Sequence, residues 1–224
     1  MMKIAVLFSG GKDSTYATYL AQKKGHEIAF LATIFSKNID SYMYHTSNIG
    51  LTVMQSESIG IKLASKLSKG EKEDEVKDLE IALKDLGVEG VVCGAIASKY
   101  QRDRVQKVCK KLGLKLLAPL WKKNPKKLVT DMINSGFEII ITAVSADGLD
   151  KKWLGRTLDM KALNELEKLS KKYRFNIAGE GGEFETFVLD CPLFKKKLKV
   201  LKANTIWEKN SGKYTIEQVK MVDK

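Results

Sequence analysis

The feature that most restricts what this chain can fold into is its opening. A continuous apolar run, Ile4-Ala5-Val6-Leu7-Phe8, breaks at once into Ser9-Gly10-Gly11-Lys12-Asp13-Ser14 and then into a segment of helical pattern that Gly25 ends. An apolar run without alternation reads as a strand buried on both faces, as in parallel sheets. Parallel strands need crossover connections, usually helices. The first half repeats that unit: strand-like runs at 28–35, 62–67, 90–93 and 114–117 alternate with helical patterns at 47–58, 71–86 and 98–112. A helix at 125–134, with Pro125 suited to its first position, and a buried run at 137–144 continue the alternation. After a helix at 160–173 the pattern changes to shorter strands at 186–189, 198–206 and 214–222. The expected fold is α/β: a doubly wound, mainly parallel sheet with a small mixed C-terminal part. The expected division is an α/β domain at 1–145 and a C-terminal part at 146–224.

A glycine turn between a buried strand and a helix is a place for an anion. Glycines let backbone N–H groups approach phosphate oxygens, and the helix start adds unpaired donors and the positive end of the dipole. Lys12 adds a charge, and Ser9 and Ser14 add hydroxyl donors. The run is not a Walker A loop, which needs glycine at position 6 and serine or threonine at 13, where this chain has Val6 and Asp13. Asp13 has two open roles, holding Mg²⁺ or capping the helix. Ligands of doubly wound sheets sit beyond the strand C-termini, near the point where strand order reverses.

The 224 residues suit one large α/β domain, or one of about 150 residues with a small extension. A net charge of +12 invites a nucleic-acid reading. That charge, however, comes from 35 lysines and only four arginines, whereas base edges and phosphates are read chiefly by arginine forks. Lysine- and glutamate-rich surfaces are also a thermophile composition. Diffuse solvation is therefore the preferred reading, ahead of a nucleic-acid face or an acidic protein partner. Cys93, Cys109 and Cys191 form neither a disulfide framework nor a metal knuckle and read as small buried apolar residues. No apolar run approaches the roughly 20 residues that span a bilayer. The N-terminal run has no small-residue cleavage site, so it reads as a strand, not a leader, and a cytoplasmic protein is expected.

Three further segments carry chemistry. Gly94-Ala95-Ile96-Ala97-Ser98-Lys99-Tyr100-Gln101-Arg102-Asp103-Arg104 follows the strand at 90–93 and places two of the four arginines at i and i+2. A strand-end glycine beside a helix start with arginines can complete a nucleotide site; pairing with neighbouring acids is the plainer alternative. Trp153-Leu154-Gly155-Arg156 holds the third arginine. Gly179-Glu180-Gly181-Gly182-Glu183-Phe184-Glu185-Thr186-Phe187 places three glutamates and three glycines in seven residues. Neither a good helix nor a core strand is expected there, because the charge would be costly if packed without partners. The segment reads as a site for a cation or a proton-handling group, or as a solvated acidic turn.

The loop at 9–14 resembles that of the PP-loop, or N-type, ATP pyrophosphatases, which implies the adenine nucleotide alpha hydrolase-like (HUP) fold and cleavage of ATP between its α and β phosphates. Together with the Tyr100-Gln101-Arg102, Trp153-Leu154-Gly155-Arg156 and glutamate-rich segments, residues 3–195 resemble the diphthine–ammonia ligase (diphthamide synthase) family, in its short archaeal form. The chain departs from the family at Lys99 and Gln106, where acidic residues are frequent. The resemblance implies amidation of the carboxylate of diphthine, a modified histidine of translation elongation factor 2, with ATP and ammonium and with release of AMP and pyrophosphate.

On that resemblance Ser9, Gly10, Gly11, Lys12, Asp13 and Ser14 would hold the phosphates, with Asp13 also a candidate Mg²⁺ ligand. Thr33, Gly94 and Ile96 would lie near the adenine. Lys12, Arg102 and Arg104 would offset charge developing at the α-phosphorus, and Glu183 or Glu185 would take a proton from the attacking nitrogen. His45, Tyr100, Trp153, Arg156, Glu180 and Phe184 would contact the acceptor. Its trimethylammonium group calls for aromatic faces and negative charge, which Glu180, Glu183 and Glu185 beside Phe184 and Phe187 would supply. No glutaminase motif is visible, so free ammonium is the expected nitrogen source. Nucleic acid and membrane are not required, and a homodimer is left open. The rivals are an RNA-modifying PP-loop enzyme of the tRNA thiolation or lysidine type, and a non-catalytic ATP sensor. A thiolase commonly needs paired cysteines, and the sequence has no Cys-x-x-Cys.

Overall fold

A computed structural model describes residues 1–36, 48–68 and 72–224. The chain divides into two compact units, Met1–Trp121 and Lys122–Lys224.

In the first unit the strands are β1 (Lys3–Leu7), β2 (Glu27–Ser36), β3 (Lys62–Ser68), β4 (Gly90–Val92) and β5 (Lys115–Leu117). The helices are α1 (Lys12–Lys23), α2 (Thr52–Ile59), α3 (Lys72–Lys84) and α4 (Lys99–Lys111). All strand pairs are parallel, in the order β3-β2-β1-β4-β5. The order reverses between β1 and β4, so the sheet is doubly wound as expected. Ile4, Ala5 and Val6 are fully buried, which is why this strand reads as unbroken apolar sequence. On the sheet, Ala5, Ala32, Ile34 and Val91 share a core with Leu79 and Leu83 of α3 and Val105 and Val108 of α4. Both helices place those leucines and valines at i, i+3 or i+4, one stripe of a 3.6-residue period. The Ser98 hydroxyl caps α4 by accepting the Gln101 N–H. Helix α1 stops at Gly25, whose φ of +80° continues no helix.

The second unit contains α5 (Pro125–Asn134), β6 (Glu138–Val144), α6 (Met160–Tyr173), β7 (Phe184–Asp190), β8 (Lys197–Glu208) and β9 (Ser211–Val222). Its sheet runs β7-β6-β9-β8, antiparallel at every pair. The small C-terminal part after the parallel sheet is present as expected, and its sheet is antiparallel. Two expectations change here. The division falls at Trp121, not at residue 145. The glutamate-rich segment runs directly into strand β7, with Phe184 and Phe187 buried in the core. The first error has a physical cause: β6 is an inner strand, with Ile139, Ile140 and Ile141 all buried, and an inner antiparallel strand shows the same unbroken apolar run as a parallel one. Among the described residues no helix is long and apolar enough to cross a membrane.

Gly90 sits on β4 between Ile4 of β1 and Lys115 of β5. A Cβ there would lie 2.8 Å from the Lys115 carbonyl oxygen, a backbone atom that cannot swing aside. Gly90→Ala is expected to destabilise the chain by about 1–3 kcal/mol, read as a lower urea midpoint at unchanged slope.

Candidate functional site

The reversal of strand order brings the segments after β1 and β4 together. A Cβ on Gly94 would lie 3.0 Å from the Asp13 carbonyl carbon and the Ser14 nitrogen, so this glycine lets the post-β4 chain lie against the first turn of α1. Gly94 thus lies beside the end of the loop at 9–14.

The loop is tied down from within. The Ser9 N–H donates to Ser14 Oγ at 3.2 Å, and the two serine hydroxyls are also 3.2 Å apart. Ser14 Oγ and Thr15 Oγ1 both donate to the Gly11 carbonyl, at 3.1 and 2.9 Å. Gly11 is the N-cap of α1 and offers no side chain to cap it. That helix end keeps the partial positive charge suited to an anion. Lys12 is buried, 3% exposed, with Nζ 2.7 Å from Asp13 Oδ2. Asp13 Oδ1 is buried with no hydrogen-bond partner. Of the two roles open to Asp13, helix capping is therefore not taken up: its carboxylate bonds Lys12. Among the described residues no group of three or more His, Cys, Asp or Glu side chains stands together to hold a metal ion.

One loop residue escaped the sequence reading. Gln55 of α2 is fully buried, and its Nε2 donates to the Gly10 carbonyl at 3.0 Å. Gly10 has φ +77°, and a Cβ on it would run into the Gln55 side chain. The sequence signal was a helix whose buried positions, Ile59 apart, are polar: Thr52, Gln55, Ser56 and Ser58. Such a helix scores poorly as an amphipathic core element, yet polar groups survive burial only when bonded. Thr33, expected near the adenine, is buried and donates from Oγ1 to the Phe8 carbonyl at 2.6 Å, joining β2 to the residue that follows β1. Ile96 is also buried.

Helix α4 holds its arginines by stacking. The Arg102 guanidinium lies 4.7 Å from the Trp121 ring and that of Arg104 3.7 Å from the Tyr100 ring. The Nε of each is buried without a hydrogen-bond partner. Among the described residues neither forms a salt bridge, so pairing with neighbouring acids is not what places them. Tyr100 itself is exposed. His45 lies outside the described residues.

In the second unit, Arg156 is committed to its neighbours. It forms a two-pronged pair with Glu165 at 2.6 and 2.7 Å, and its guanidinium stacks 4.4 Å over Trp153, which is buried. Phe184 and Phe187 are core residues, so the aromatic faces expected around a quaternary ammonium do not stand open at the surface. Glu185 lies on β7 opposite Ala143. The Glu183 carboxylate accepts the Asn176 and Gly181 N–H groups at 2.8 and 2.7 Å.

The Arg156 hydrogen bonds hold the Glu165 carboxyl below the usual carboxylate range, and Glu165 in turn raises Arg156. A carboxyl whose pKa is depressed on folding contributes stability above its unfolded pKa and loses it as pH falls through the folded value. Glu165→Gln is therefore expected to melt below the unaltered chain at neutral pH and to match it once pH drops beneath the lowered carboxyl value, as thermal melts across pH would measure.

Comparison with known proteins bears on both units. Residues 2–116 match the family model described as the diphthamide synthase N-terminal domain, and residues 124–222 match the diphthamide synthase C-terminal domain. The gap between the matches contains the structural division at Trp121. The diphthine–ammonia ligase of Bos taurus is 43% identical over 89% of this chain and 83% of its own length, and that of Homo sapiens 42% identical over the same shares. The diphthine–ammonia ligase of Schizosaccharomyces pombe is 38% identical over 98% of this chain and 39% of its own length. A solved chain described as a predicted subunit of tRNA methyltransferase from Methanocaldococcus jannaschii is 19% identical over 86% of this chain and 98% of its own, with a TM-score of 0.46, too low to assign a fold from. With a family model over each unit, and relatives above 40% identity across most of both sequences, the chain belongs to the diphthamide synthase family.

Proposed function

We propose that this chain forms a carbon–nitrogen bond: it amidates the carboxylate of diphthine on translation elongation factor 2 with ammonium, converting ATP to AMP and pyrophosphate. The observation that carries the reading is the uncapped start of α1 behind Gly10 and Gly11, with buried Lys12, at the reversal point of a doubly wound sheet. Membership of a family whose relatives are named diphthine–ammonia ligase supports the acceptor.

The reaction needs two displacements. A carboxylate is a poor acyl donor because oxide would have to leave. Its oxygen therefore attacks the α-phosphorus of ATP as the bond to the β-phosphate oxygen breaks, and pyrophosphate departs. Backbone N–H groups of Gly10 and Gly11, the Lys12 ammonium and the Ser9 and Ser14 hydroxyls would hold that pyrophosphate. Arg102 and Arg104, already fixed by ring stacking and carrying buried Nε donors without partners, would offset charge at the α-phosphate. Ammonia then adds to the acyl carbon, the bond to AMP breaks, and the excess proton on nitrogen passes to a carboxylate of the acidic segment, Glu185 or Glu180. Negative charge there also suits the trimethylammonium group. Asp13 fits a Mg²⁺ held mainly by phosphate oxygens, because Oδ1 is a buried hard donor with no partner. Such an ion would neutralise phosphate charge.

Purified chain with ATP, ammonium and diphthine-bearing elongation factor 2 is expected to release AMP and convert the acid to its amide, and to do neither without ammonium. Lys12→Ala should lower AMP release by about a hundredfold or more while its circular dichroism stays that of a folded chain. ATP binding with no AMP release on this acceptor would make the chain a nucleotide sensor and overturn the reading.

A further inference from the structure

Glu183 belongs to the segment whose carboxylates the proposed reaction uses, yet both of its own oxygens are engaged. Oε1 accepts the Asn176 N–H at 2.8 Å and Oε2 the Gly181 N–H at 2.7 Å. Bonds from backbone N–H to carboxylate at these lengths are charge-assisted and strong. They fasten a turn across seven residues.

The turn is shaped around that carboxylate. A Cβ on Gly181 would lie 2.8 Å from Glu183 Oε1, and one on Gly179 would lie 2.8 Å from the Phe184 carbonyl oxygen. Gly179 and Gly182 have φ of +71° and +86°, the left-handed region. The far side is anchored to the end of β6: the Ser145 N–H donates to the Glu183 carbonyl at 2.9 Å, and the Ser145 hydroxyl to the Gly182 carbonyl at 2.5 Å. The Asn176 side chain accepts the Ala178 N–H at 2.9 Å, and Ala178, within the turn, is fully buried. Three glycines in four positions give a chain that loses much entropy on ordering. A carboxylate that bonds both arms of the turn removes that freedom. A proton acceptor, by contrast, needs an oxygen aimed at the proton it takes, and the Glu183 oxygens are aimed at the turn's own N–H groups.

We infer that Glu183 is a positioning residue: its carboxylate closes the 176–183 turn and so fixes where Glu180 and Glu185 stand. The closure rests on the geometry, and the positioning of reactive carboxylates rests on the proposed reaction.

Glu183→Gln keeps the side chain's size but turns an amide NH₂ toward one of the two N–H groups. Amide hydrogen exchange at Asn176 and Gly181 should speed up by about ten- to a hundredfold at one or both sites. AMP release with diphthine-bearing factor and ammonium should fall by a similar factor at every pH, keeping its acid limb, while the ATP Kd is unchanged. Glu183→Asp, which keeps the charge but is one methylene short, should not restore protection. Unchanged exchange, or loss of the acid limb in Glu183→Gln, would overturn the inference. If the unaltered chain releases no AMP, the reaction fails and the exchange measurement alone decides the closure. Should Glu183→Gln not fold, Gly181→Ala presses a methyl on the same carboxylate, and the same loss of protection at Asn176 is expected.

Discussion

β1 is hydrogen-bonded along both edges, to β2 on one side and β4 on the other. Neighbouring strands lie about 4.8 Å apart, so the chain segments leaving β1 and β4 must pass each other closely. They do so because position 94 has no Cβ to meet the Asp13–Ser14 backbone. Helix α1 can then begin at Gly11 beside the post-β4 chain, with its first turn facing outward beyond the strand ends. The open helix start that is proposed to hold an anion follows from that one pairing, more than from any side chain in the loop.

Side chains then hold the loop in shape. Gln55 bonds the Gly10 carbonyl, Thr33 bonds the Phe8 carbonyl, and the Ser9 and Ser14 hydroxyls bond each other. Each removes a backbone freedom that two consecutive glycines would otherwise leave open. In the second unit the same logic recurs with different chemistry. Ser145 at the end of β6 and Glu183 at the head of β7 hold a glycine-rich turn by backbone bonds. Both turns place polar groups on an irregular backbone that a rigid sheet supports.

The first sheet was legible because its inner strands β1 and β4 are unbroken apolar runs and helices α3 and α4 carry one apolar stripe each. The loop at 9–14 was legible because residue types and position agree. The second sheet was not. β6 carries no local mark of its antiparallel neighbours, since Ile139, Ile140 and Ile141 would look the same in either sheet. The acidic segment misled in the other direction: Glu183 and Glu185 suggested a strand that starts only at residue 186, but Phe184 is a core residue and draws the start of β7 back to its own position. Gln55 was silent because a polar residue on a helix is read as solvated unless its backbone partner, 45 residues away, is known.

The charge of the chain separates into two kinds. Lysine supplies nearly all of it and forms exposed pairs such as Lys127 with Asp131 and Lys171 with Glu167, which contribute little to stability. Arginine is scarce, and among the described residues three guanidiniums, those of Arg102, Arg104 and Arg156, lie over an aromatic ring. A planar, weakly hydrated cation stacks on a ring and keeps its donors in a fixed plane, which a flexible ammonium does not. Arg156 turns that plane to Glu165 and so braces its own unit, whereas Arg102 and Arg104 keep buried Nε donors without partners on a helix that starts at the strand-reversal end of the sheet. Net charge therefore says little about what the chain binds. The placement of its few arginines separates a cation bonded to a carboxylate from two whose buried Nε donors have no partner, the two proposed to meet the α-phosphate.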